Sequence, residues 1–152
     1  MRPTTTLLTF VLFPPILFAA DPDPFLGSWK LNWAKSRSSQ QEPKIVVRTY
    51  RKAADGVRVS ETWVEQNGQR TDLNYIANYD GEDYPVLTSK GSTVEFTRQD
   101  TYTVEGMSNT NGKVDYTFKR MVSKDSKTLT IEISKTGTGS GPTKIFGYDK
   151  LK

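Results

Sequence analysis

The chain has 152 residues and a formal net charge of +4 at neutral pH, and it contains neither cysteine nor histidine. Without histidine there is no imidazole general base, no Ser-His-Asp triad and no proximal haem ligand. Without both residue types the usual zinc and copper ligand sets are also missing, and no disulfide can add stability. The composition therefore removes most enzyme mechanisms, although carboxylate, lysine or tyrosine chemistry survives. We predict a protein that is not an enzyme, has no cofactor or metal site, and is stabilised by core burial.

The first twenty residues have the features of an export signal. Arg2 supplies a positive charge, and residues 7–20 are mostly apolar and end in small residues just before Asp21. The apolar run is too short to cross a bilayer, so no stable membrane anchor is expected. We predict a signal peptide over residues 1–20, a mature domain over residues 21–152, and an exported protein, either periplasmic or secreted.

From residue 25 onward, short strands alternate with turns. Four Asp-Gly or Asn-Gly pairs mark tight turns, at residues 55–56, 67–68, 80–81 and 111–112. A polar loop is predicted over residues 34–44. The ten predicted strands cover residues 25–33, 45–52, 57–66, 71–80, 84–88, 93–98, 101–105, 113–123, 127–135 and 143–151.

No segment has helical periodicity long enough to predict a helix, so the fold class is all-β. Because a long meander must protect its edge strands, closure into a barrel is the natural arrangement. We predict a single antiparallel up-and-down barrel of about eight to ten strands, as a monomer. Lysine and arginine are scattered among aspartate and glutamate without a basic run, which predicts a solvated surface and no nucleic-acid partner.

Alternation within the strands assigns the side chains that face the interior. Most of them are apolar, but Glu61 and Arg120 fall on these faces too. A charge inside a barrel is costly unless it is paired or lies in a wet cavity. The predicted inward sets are Val57, Val59, Glu61 and Trp63; Leu73, Tyr75, Ala77 and Tyr79; Val114, Tyr116, Phe118, Arg120 and Val122; and Leu129, Ile131 and Ile133.

The first strand carries the most specific motif, the sequence FLGSWKLN at residues 25–32. Gly27 and Trp29 are two residues apart and face the same side of a strand. The glycine permits close approach of another backbone, and the tryptophan is large enough to form the floor of a small barrel. The motif resembles the G-x-W opening of the calycins, which include the lipocalins and the fatty-acid-binding proteins.

Two further segments resemble small exported bacterial lipocalin-like proteins. These are YDGEDYPV at residues 79–86 and VSKDSKTLT at residues 122–130. The resemblance spans nearly the whole mature chain and implies a lipocalin-like barrel in an exported protein, without implying an activity.

Three carboxylates around Gly81 offer oxygen ligands for Ca²⁺; the alternative is a turn whose aromatic neighbours are held against the barrel.

Two features depart from the fatty-acid-binding proteins. The loop over residues 34–44 is too short and too polar for their helix-turn-helix lid. Their last strand carries an R-x-Y pair that binds a carboxylate, whereas Phe146 and Tyr148 stand at the corresponding positions here. Tyr148 keeps a hydrogen-bonding hydroxyl, but the arginine is gone.

Arg120 permits two interpretations. It either anchors an acidic ligand, or it stacks on Trp29 at the closed end of the barrel by a cation–π contact, as a late-strand arginine does in lipocalins; the second is favoured. Glu61 either pairs with Arg120 or Arg98 or faces water. Aromatic side chains supply pocket walls or ordinary core, namely Trp63, Tyr75, Tyr79, Tyr84, Tyr102 and Tyr116.

The favoured function is non-catalytic binding of a small apolar or amphipathic ligand in the barrel. The candidate ligand-binding residues are Arg120, Tyr148, Tyr116, Phe118, Tyr75, Trp63 and Glu61, and the structural floor is Gly27 and Trp29. The alternatives are a packed barrel that acts as a surface interaction or inhibitor module, and an enzyme that uses a carboxylate and tyrosines. Internal volume distinguishes the first two, because eight strands can be filled by side chains or can hold one small ligand.

Overall fold

The structure is a computed structural model that describes residues 22–137 and 141–152. The predicted signal peptide over residues 1–20 lies outside these residues. No helix in the described parts of the chain is long and apolar enough to cross a membrane. The ten strands are β1 (Gly27–Arg37), β2 (Ile45–Ala53), β3 (Gly56–Val64), β4 (Arg70–Ala77), β5 (Asp80–Pro85), β6 (Ser92–Asp100), β7 (Thr103–Thr110), β8 (Lys113–Val122), β9 (Thr128–Lys135) and β10 (Lys144–Lys150).

The strands form one antiparallel sheet in the order β4-β3-β2-β1-β10-β9-β8-β7-β6-β5. Strands that follow each other in the sequence are hydrogen-bonded neighbours, except β4 and β5 at the two edges of the sheet. β10 pairs with β1, so the arrangement is up-and-down. Between β4 and β5 the ladder is reduced to a single bridge, Tyr75 with Val86. The prediction of an all-β, up-and-down barrel is confirmed, and the barrel is nearly closed.

Antiparallel connectivity places alternate loops at opposite ends of the barrel. One end of the barrel carries residues 38–44, 65–69, 86–91 and 111–112 and the β9–β10 connection. We call it the open end. The other end, which we call the closed end, carries residues 22–26, the remaining turns and the C-terminus. The β1–β2 connection contains no helix, so the open end has no helical lid, as its sequence indicated.

Two local predictions are wrong. The polar loop begins later than predicted, because β1 continues to Arg37 with a register irregularity between Asn32 and Arg37. Asp80 and Gly81 do not form a hairpin turn but begin β5. Gly81 has a φ of 81°, and the pairing of β5 with β6 is irregular from Asp80 to Asp83. The glycine therefore accommodates a bulge, and the chain turns earlier, between β4 and β5.

The predicted inward faces form the core, with one exception. Val59, Tyr75, Ala77, Phe118, Val122, Leu129 and Ile131 are buried in one hydrophobic cluster. Val114 is instead exposed. The pairing of β7 with β8 shifts between Ser108 and Asn109, so the alternation that holds from Tyr116 onward does not extend to the start of β8.

Trp29 is fully buried at the closed end, as the motif predicts. Its indole Nε1 donates to the Phe25 carbonyl oxygen at 2.9 Å, and the Lys150 ammonium lies 4.9 Å from the ring centroid. Gly27 has a φ of 126° and a Cβ there would meet the Lys150 side chain at 2.8 Å. The glycine thus makes room for a lysine side chain, not for the neighbouring backbone that the motif suggested.

An arginine also seals the closed end. Arg98 pairs with Asp23 at 2.7 Å, and its guanidinium lies 4.1 Å from the Tyr79 ring centroid and 5.4 Å from that of Phe25. The charge is therefore neutralised by a carboxylate and covered by aromatic rings.

Candidate ligand-binding cavity

A cavity of about 560 Å³ lies inside the barrel. Its lining includes side chains from the open end, such as Gln40, Ser89 and Lys144, and buried side chains deeper in the barrel. The apolar part of the wall is contributed by several strands. It comprises Trp63, Leu73, Val86, Val94, Tyr116, Phe118, Ile131, Ile133 and Phe146.

A connected set of polar side chains lies in the wall of this cavity. We call it the interior polar cluster, and it consists of Arg48, Glu61, Tyr75, Arg120 and Tyr148. All five line the cavity. Each is placed there by the period-two alternation of its strand, because the side chains two residues away along the strand are also buried or packed against the core, apart from Lys150, which lies over the Trp29 ring.

Arg48 connects most of the interior polar cluster. Its Nη1 donates to Glu61 Oε2 at 2.8 Å, its Nη2 donates to the Tyr75 hydroxyl at 3.1 Å, and its Nε donates to the Tyr50 hydroxyl at 2.9 Å. Arg48 and Glu61 are direct cross-strand partners on β2 and β3. Tyr148 Oη donates to the same Glu61 oxygen at 3.3 Å. Each guanidinium nitrogen of Arg48 therefore donates a hydrogen bond, and its charge is neutralised by Glu61.

Burial and charge fix the protonation states of this region. Burial lowers the pKa of Arg48, but the acidic groups Tyr50 and Glu61 outweigh it and leave the pKa well above its ordinary value. Burial, together with the Glu61 carboxylate, raises the pKa of Tyr148 well above its ordinary value. Arg48 consequently stays charged and the Tyr148 hydroxyl keeps its proton for Glu61.

Arg120 has a different environment. Its Nη1 donates to the Tyr75 hydroxyl at 2.9 Å, and its guanidinium lies 4.3 Å and 4.6 Å from the ring centroids of Phe118 and Phe96. Its Nε is buried and has no hydrogen-bond partner among the described residues. Within the same residues no carboxylate lies within 4.0 Å of it. Arg120 thus carries an unneutralised charge in the barrel interior.

The stacking of Arg120 on Trp29, which the sequence favoured, is wrong. Arg120 stacks on Phe96 and Phe118, and Lys150 is the cation over Trp29. Arg120 pairs with Val104 and Ile131 in the middle of the sheet, whereas Trp29 pairs with Lys150 and Arg48. The two residues lie on strands that are not neighbours.

The remaining candidate residues divide into two groups. Trp63, Tyr75, Tyr116, Phe118, Glu61 and Tyr148 all line the cavity, whereas Tyr79, Tyr84 and Tyr102 do not. Glu61 pairs with neither Arg120 nor Arg98, which corrects both predicted partners; it pairs with Arg48. Phe146, at the position of the missing arginine, is a buried wall residue.

Sequence reasoning missed Arg48 and Gly106. Arg48 had a usable signal, because Val46, Arg48 and Tyr50 alternate on one face of β2. Gly106 gives no such signal. It lies between Phe96 and Phe118 in the sheet register, and a Cβ there would overlap the Glu95 carbonyl oxygen and meet the Phe118 ring at 2.7 Å. The missing side chain lets the two rings, 5.1 Å apart, form the platform under Arg120.

The carboxylates of residues 79–86 do not converge. Asp80 accepts from the Tyr84 hydroxyl at 2.6 Å, and Asp83 accepts from Thr93 and Asn109. In the described parts of the chain no group of three or more acidic, histidine or cysteine side chains is arranged to hold a metal ion. The segment is not the turn of the alternative interpretation either, because it forms β5, and its Asp80 and Asp83 carboxylates are hydrogen-bonded within β5 and to neighbouring strands.

Comparison with known proteins identifies the fold. The sequence matches no protein-family model and no curated protein. Among solved structures, it is similar to As-p18, an extracellular fatty acid binding protein, with a TM-score of 0.59 and 17% identity over 86% of this chain and 98% of that one. It is also similar to a mutant of the fluorescent protein UnaG, with a TM-score of 0.57 and 14% identity over 85% and 97% of the two chains.

These similarities show that the chain has the barrel fold of fatty-acid-binding-protein-like structures. The neighbours cover nearly the whole of the described barrel, so the match is global and does not rest on the first-strand motif alone. A calycin-like barrel, as the G-x-W resemblance implied, therefore fits the structure.

Proposed function

We propose that the protein binds one small apolar or amphipathic molecule in the barrel cavity, without catalysis and outside the cytoplasm. The observation that carries this proposal is the cavity of about 560 Å³, with mostly apolar walls and the interior polar cluster at their base. Small-molecule sites typically have volumes of roughly 300–1,000 Å³ and combine apolar walls with a few convergent polar groups.

The charge balance of the interior polar cluster favours an anionic head group. Arg48 and Glu61 neutralise each other at 2.8 Å, so Arg120 leaves about one net positive charge. An uncompensated charge in a barrel interior is costly, and an anion beside Arg120 relieves that cost by a charge-assisted hydrogen bond.

Tyr75 supplies a second donor for the same head group. Its hydroxyl oxygen accepts from both Arg48 and Arg120, which occupies its two lone pairs. Its proton is left to donate toward the cavity that Tyr75 lines. An anion held by Arg120 and the Tyr75 hydroxyl is therefore oriented, and its apolar part lies against Phe118, Tyr116 and Trp63.

Export rests on two supporting observations. Residues 1–20 have the composition of a signal peptide, and one neighbour in fold, As-p18, is named as an extracellular protein. We propose a cleaved signal over residues 1–20 and a mature, monomeric barrel over residues 21–152 that has no nucleic-acid partner. N-terminal sequencing of the protein recovered from culture tests this, and Met1 retained on soluble protein would overturn it.

The alternative of a packed barrel that acts through its surface is less well supported. Such a barrel would be filled by its own side chains, and the cavity of about 560 Å³ argues against it. An enzymatic role has no specific observation in its favour.

Displacement of an environment-sensitive fluorescent fatty acid tests the binding proposal. Unlabelled hexadecanoate and hexadecanol have the same chain but differ in charge, so their ratio of affinities measures the head-group contribution. We expect wild-type protein to prefer hexadecanoate about tenfold or more, the effect of one charge-assisted hydrogen bond. In Arg120→Met we expect that preference to disappear while hexadecanol still binds.

Arg58→Met is the matched control, since Arg58 is exposed on β3 and makes only a 3.3 Å hydrogen bond to Asn74. It should leave both affinities unchanged. Saturable binding of neither compound to well-folded wild-type protein would overturn the proposed function. Binding without any acid preference would overturn the head-group assignment alone.

A further inference from the structure

Polar and apolar side chains form separate levels along the cavity wall. Every member of the interior polar cluster except Arg48 is followed, towards the open end, by an apolar side chain two residues away and a polar side chain four residues away. The apolar side chains are Trp63, Leu73, Phe118 and Phe146. The polar side chains, which we call the outer polar level, are Glu65, Thr71, Tyr116 and Lys144. All of them line the cavity, so the wall is polar at its inner and outer levels and apolar in between.

The distance between the two polar levels follows from strand geometry. Side chains four residues apart on one strand are separated by about 13 Å along that strand. Because the strands of a small barrel tilt by roughly 35–45° from its axis, the separation along the cavity is about 10 Å. A molecule that extends from Arg120 to the mouth of the cavity therefore contacts both levels.

The two charged members of the outer polar level are not paired with each other. Lys144 Nζ donates to Gln40 Oε1 at 2.7 Å, and Glu65 Oε1 accepts from Trp63 Nε1 at 2.7 Å. Both charged side chains are half-buried, and in the described parts of the chain neither has an ion-pair partner within 4.0 Å. Because an ammonium group and a carboxylate each make several hydrogen bonds, both keep hydrogen-bonding capacity for a ligand.

The charge balance at the mouth does not favour a second anion. Lys144 and Glu65 carry opposite charges that sum to zero. Asp115 also lines the cavity; it is exposed, accepts a hydrogen bond from Thr110, and adds a negative charge. A neutral group that both donates and accepts hydrogen bonds suits this set of side chains, and a hydroxyl is the simplest such group.

We propose that the ligand is a bipolar amphiphile, with an anionic group at Arg120, an apolar middle and a hydroxyl at the outer polar level. This inference rests on the proposed function, because it concerns the far end of the same bound molecule. An unsubstituted chain would displace water from Lys144 and Glu65 without replacing the hydrogen bonds of that water, which weakens binding. Lys144 and Glu65 therefore determine specificity, and the chemical class that they favour is the hydroxy acids.

Displacement of the fluorescent fatty acid by two matched series of compounds tests the proposal. One series consists of octanoate, decanoate, dodecanoate and hexadecanoate, and the other consists of the ω-hydroxy acids of the same chain lengths. At each length, the ratio of the two affinities measures the contribution of the hydroxyl. The corresponding dicarboxylic acids show whether a second anion serves as well as a hydroxyl.

We expect the hydroxyl preference to depend on chain length. At an intermediate length, the ω-hydroxy acid should bind about fivefold more tightly than the unsubstituted acid, which is the effect of one net hydrogen bond. At the greatest length the chain carries its hydroxyl past the outer polar level into water, so the preference should disappear. The dicarboxylic acid of the intermediate length should bind less tightly than the ω-hydroxy acid.

A pair of double variants assigns the preference to the outer polar level. The outer variant carries Lys144→Met and Glu65→Leu, which together leave the net charge unchanged. The matched control carries Lys113→Met and Glu42→Leu, the same changes at exposed positions of the open end that do not line the cavity. The hydroxyl preference should disappear in the outer variant and persist in the control. Melting curves check that each variant is folded, and Lys144→Met alone repeats the test where the double variant is unfolded.

Three results would overturn the inference while leaving the proposed function in place. They are saturable binding of both series by wild-type protein without a hydroxyl preference at any length, tighter binding of the dicarboxylic acid than of the ω-hydroxy acid, and a preference that persists in the folded outer variant. Absence of saturable binding by every compound of both series would overturn the proposed function, and this inference with it. The two failures are therefore distinguishable.

Discussion

Two arginines on the inner side of the barrel have different surroundings, although the register places both of them opposite Val104. At the closed end, Arg98 meets Asp23 at 2.7 Å and is covered by aromatic rings. In the cavity, Arg120 is also stacked on aromatic rings, but it meets a tyrosine hydroxyl and no carboxylate. The closed end neutralises its charge within the protein, whereas the cavity leaves one charge for something else.

The difference separates stability from binding within one small fold. Residues that seal the closed end contribute mainly to the free energy of unfolding, and truncating them should leave ligand choice unchanged. Residues of the interior polar cluster should contribute mainly to ligand choice and less to the free energy of unfolding, because a cavity that suits an anion is not optimised for the empty state.

The largest expected effect is at the closed end. Trp29→Ala should lower the free energy of unfolding by about 3–5 kcal/mol, as deletion of a large aromatic core residue does, and it also removes the hydrogen bond to the Phe25 carbonyl. Urea denaturation measures the change. Trp63→Ala, at a partly buried position in the cavity wall, is the control and should cost clearly less. Equal costs would contradict the contrast between the ends.

Gly106→Ala tests the platform beneath Arg120. A methyl group there would overlap the Glu95 carbonyl oxygen and the Phe118 ring, so we expect a loss of about 2–3 kcal/mol, in the upper range for overpacking. Gly112→Ala is the comparison, because its Cβ would meet nothing within 4 Å although its φ is 77°. Melting curves of the two variants should differ clearly; similar curves would show that the strand accommodates the extra methyl.

Glu61→Gln sharpens the comparison in the cavity itself. The amide oxygen can still accept the hydrogen bond from Arg48, but the interior polar cluster loses its only negative charge. We expect stability to fall by about 1–2 kcal/mol and the preference for hexadecanoate over hexadecanol to rise several-fold. A fall in that preference would show that Glu61, and not Arg120, orients the head group.

The smallest effect concerns pH and a pair outside the cavity. Lys35, followed by Asn32, holds the pKa of Asp149 below its ordinary value. Because the pKa is lower in the folded state, this interaction stabilises the protein above the unfolded pKa and is lost as the pH falls through the folded pKa. The pair is half exposed, so Asp149→Asn should cost a few tenths of a kcal/mol at pH 7 and nothing at pH 2, measured by urea denaturation.

Most of the fold could be predicted from the sequence. The period-two alternation and the Gly-containing turns placed most strands close to their observed positions, because these signals are local, but β5 begins four residues earlier than predicted and β7 ends five residues later. The G-x-W motif placed Trp29 in the core for the same reason. The errors at Asp80 and Val114 occur where bulges interrupt the alternation, and a bulge depends on the partner strand as well as on its own sequence.

The site was less predictable, because it depends on which strands meet. Alternation identified Glu61 and Arg120 as interior charges, but it could not show that Glu61 pairs with Arg48 or that Arg120 stacks on phenylalanine rings and not on Trp29. Those facts follow from register and from closure of the barrel. Gly106 is the extreme case, since a glycine acquires its role only from the two phenylalanines on neighbouring strands.

Native mass spectrometry tests the central claim most directly. Delipidated, folded protein is mixed with equal amounts of hexadecanoate and hexadecanol, and the bound species are weighed. We expect a single bound molecule per barrel, with the acid in large excess over the alcohol, and loss of that excess in Arg120→Met. Folded wild-type protein with no bound molecule, or with several molecules of both kinds and no saturation, would contradict it.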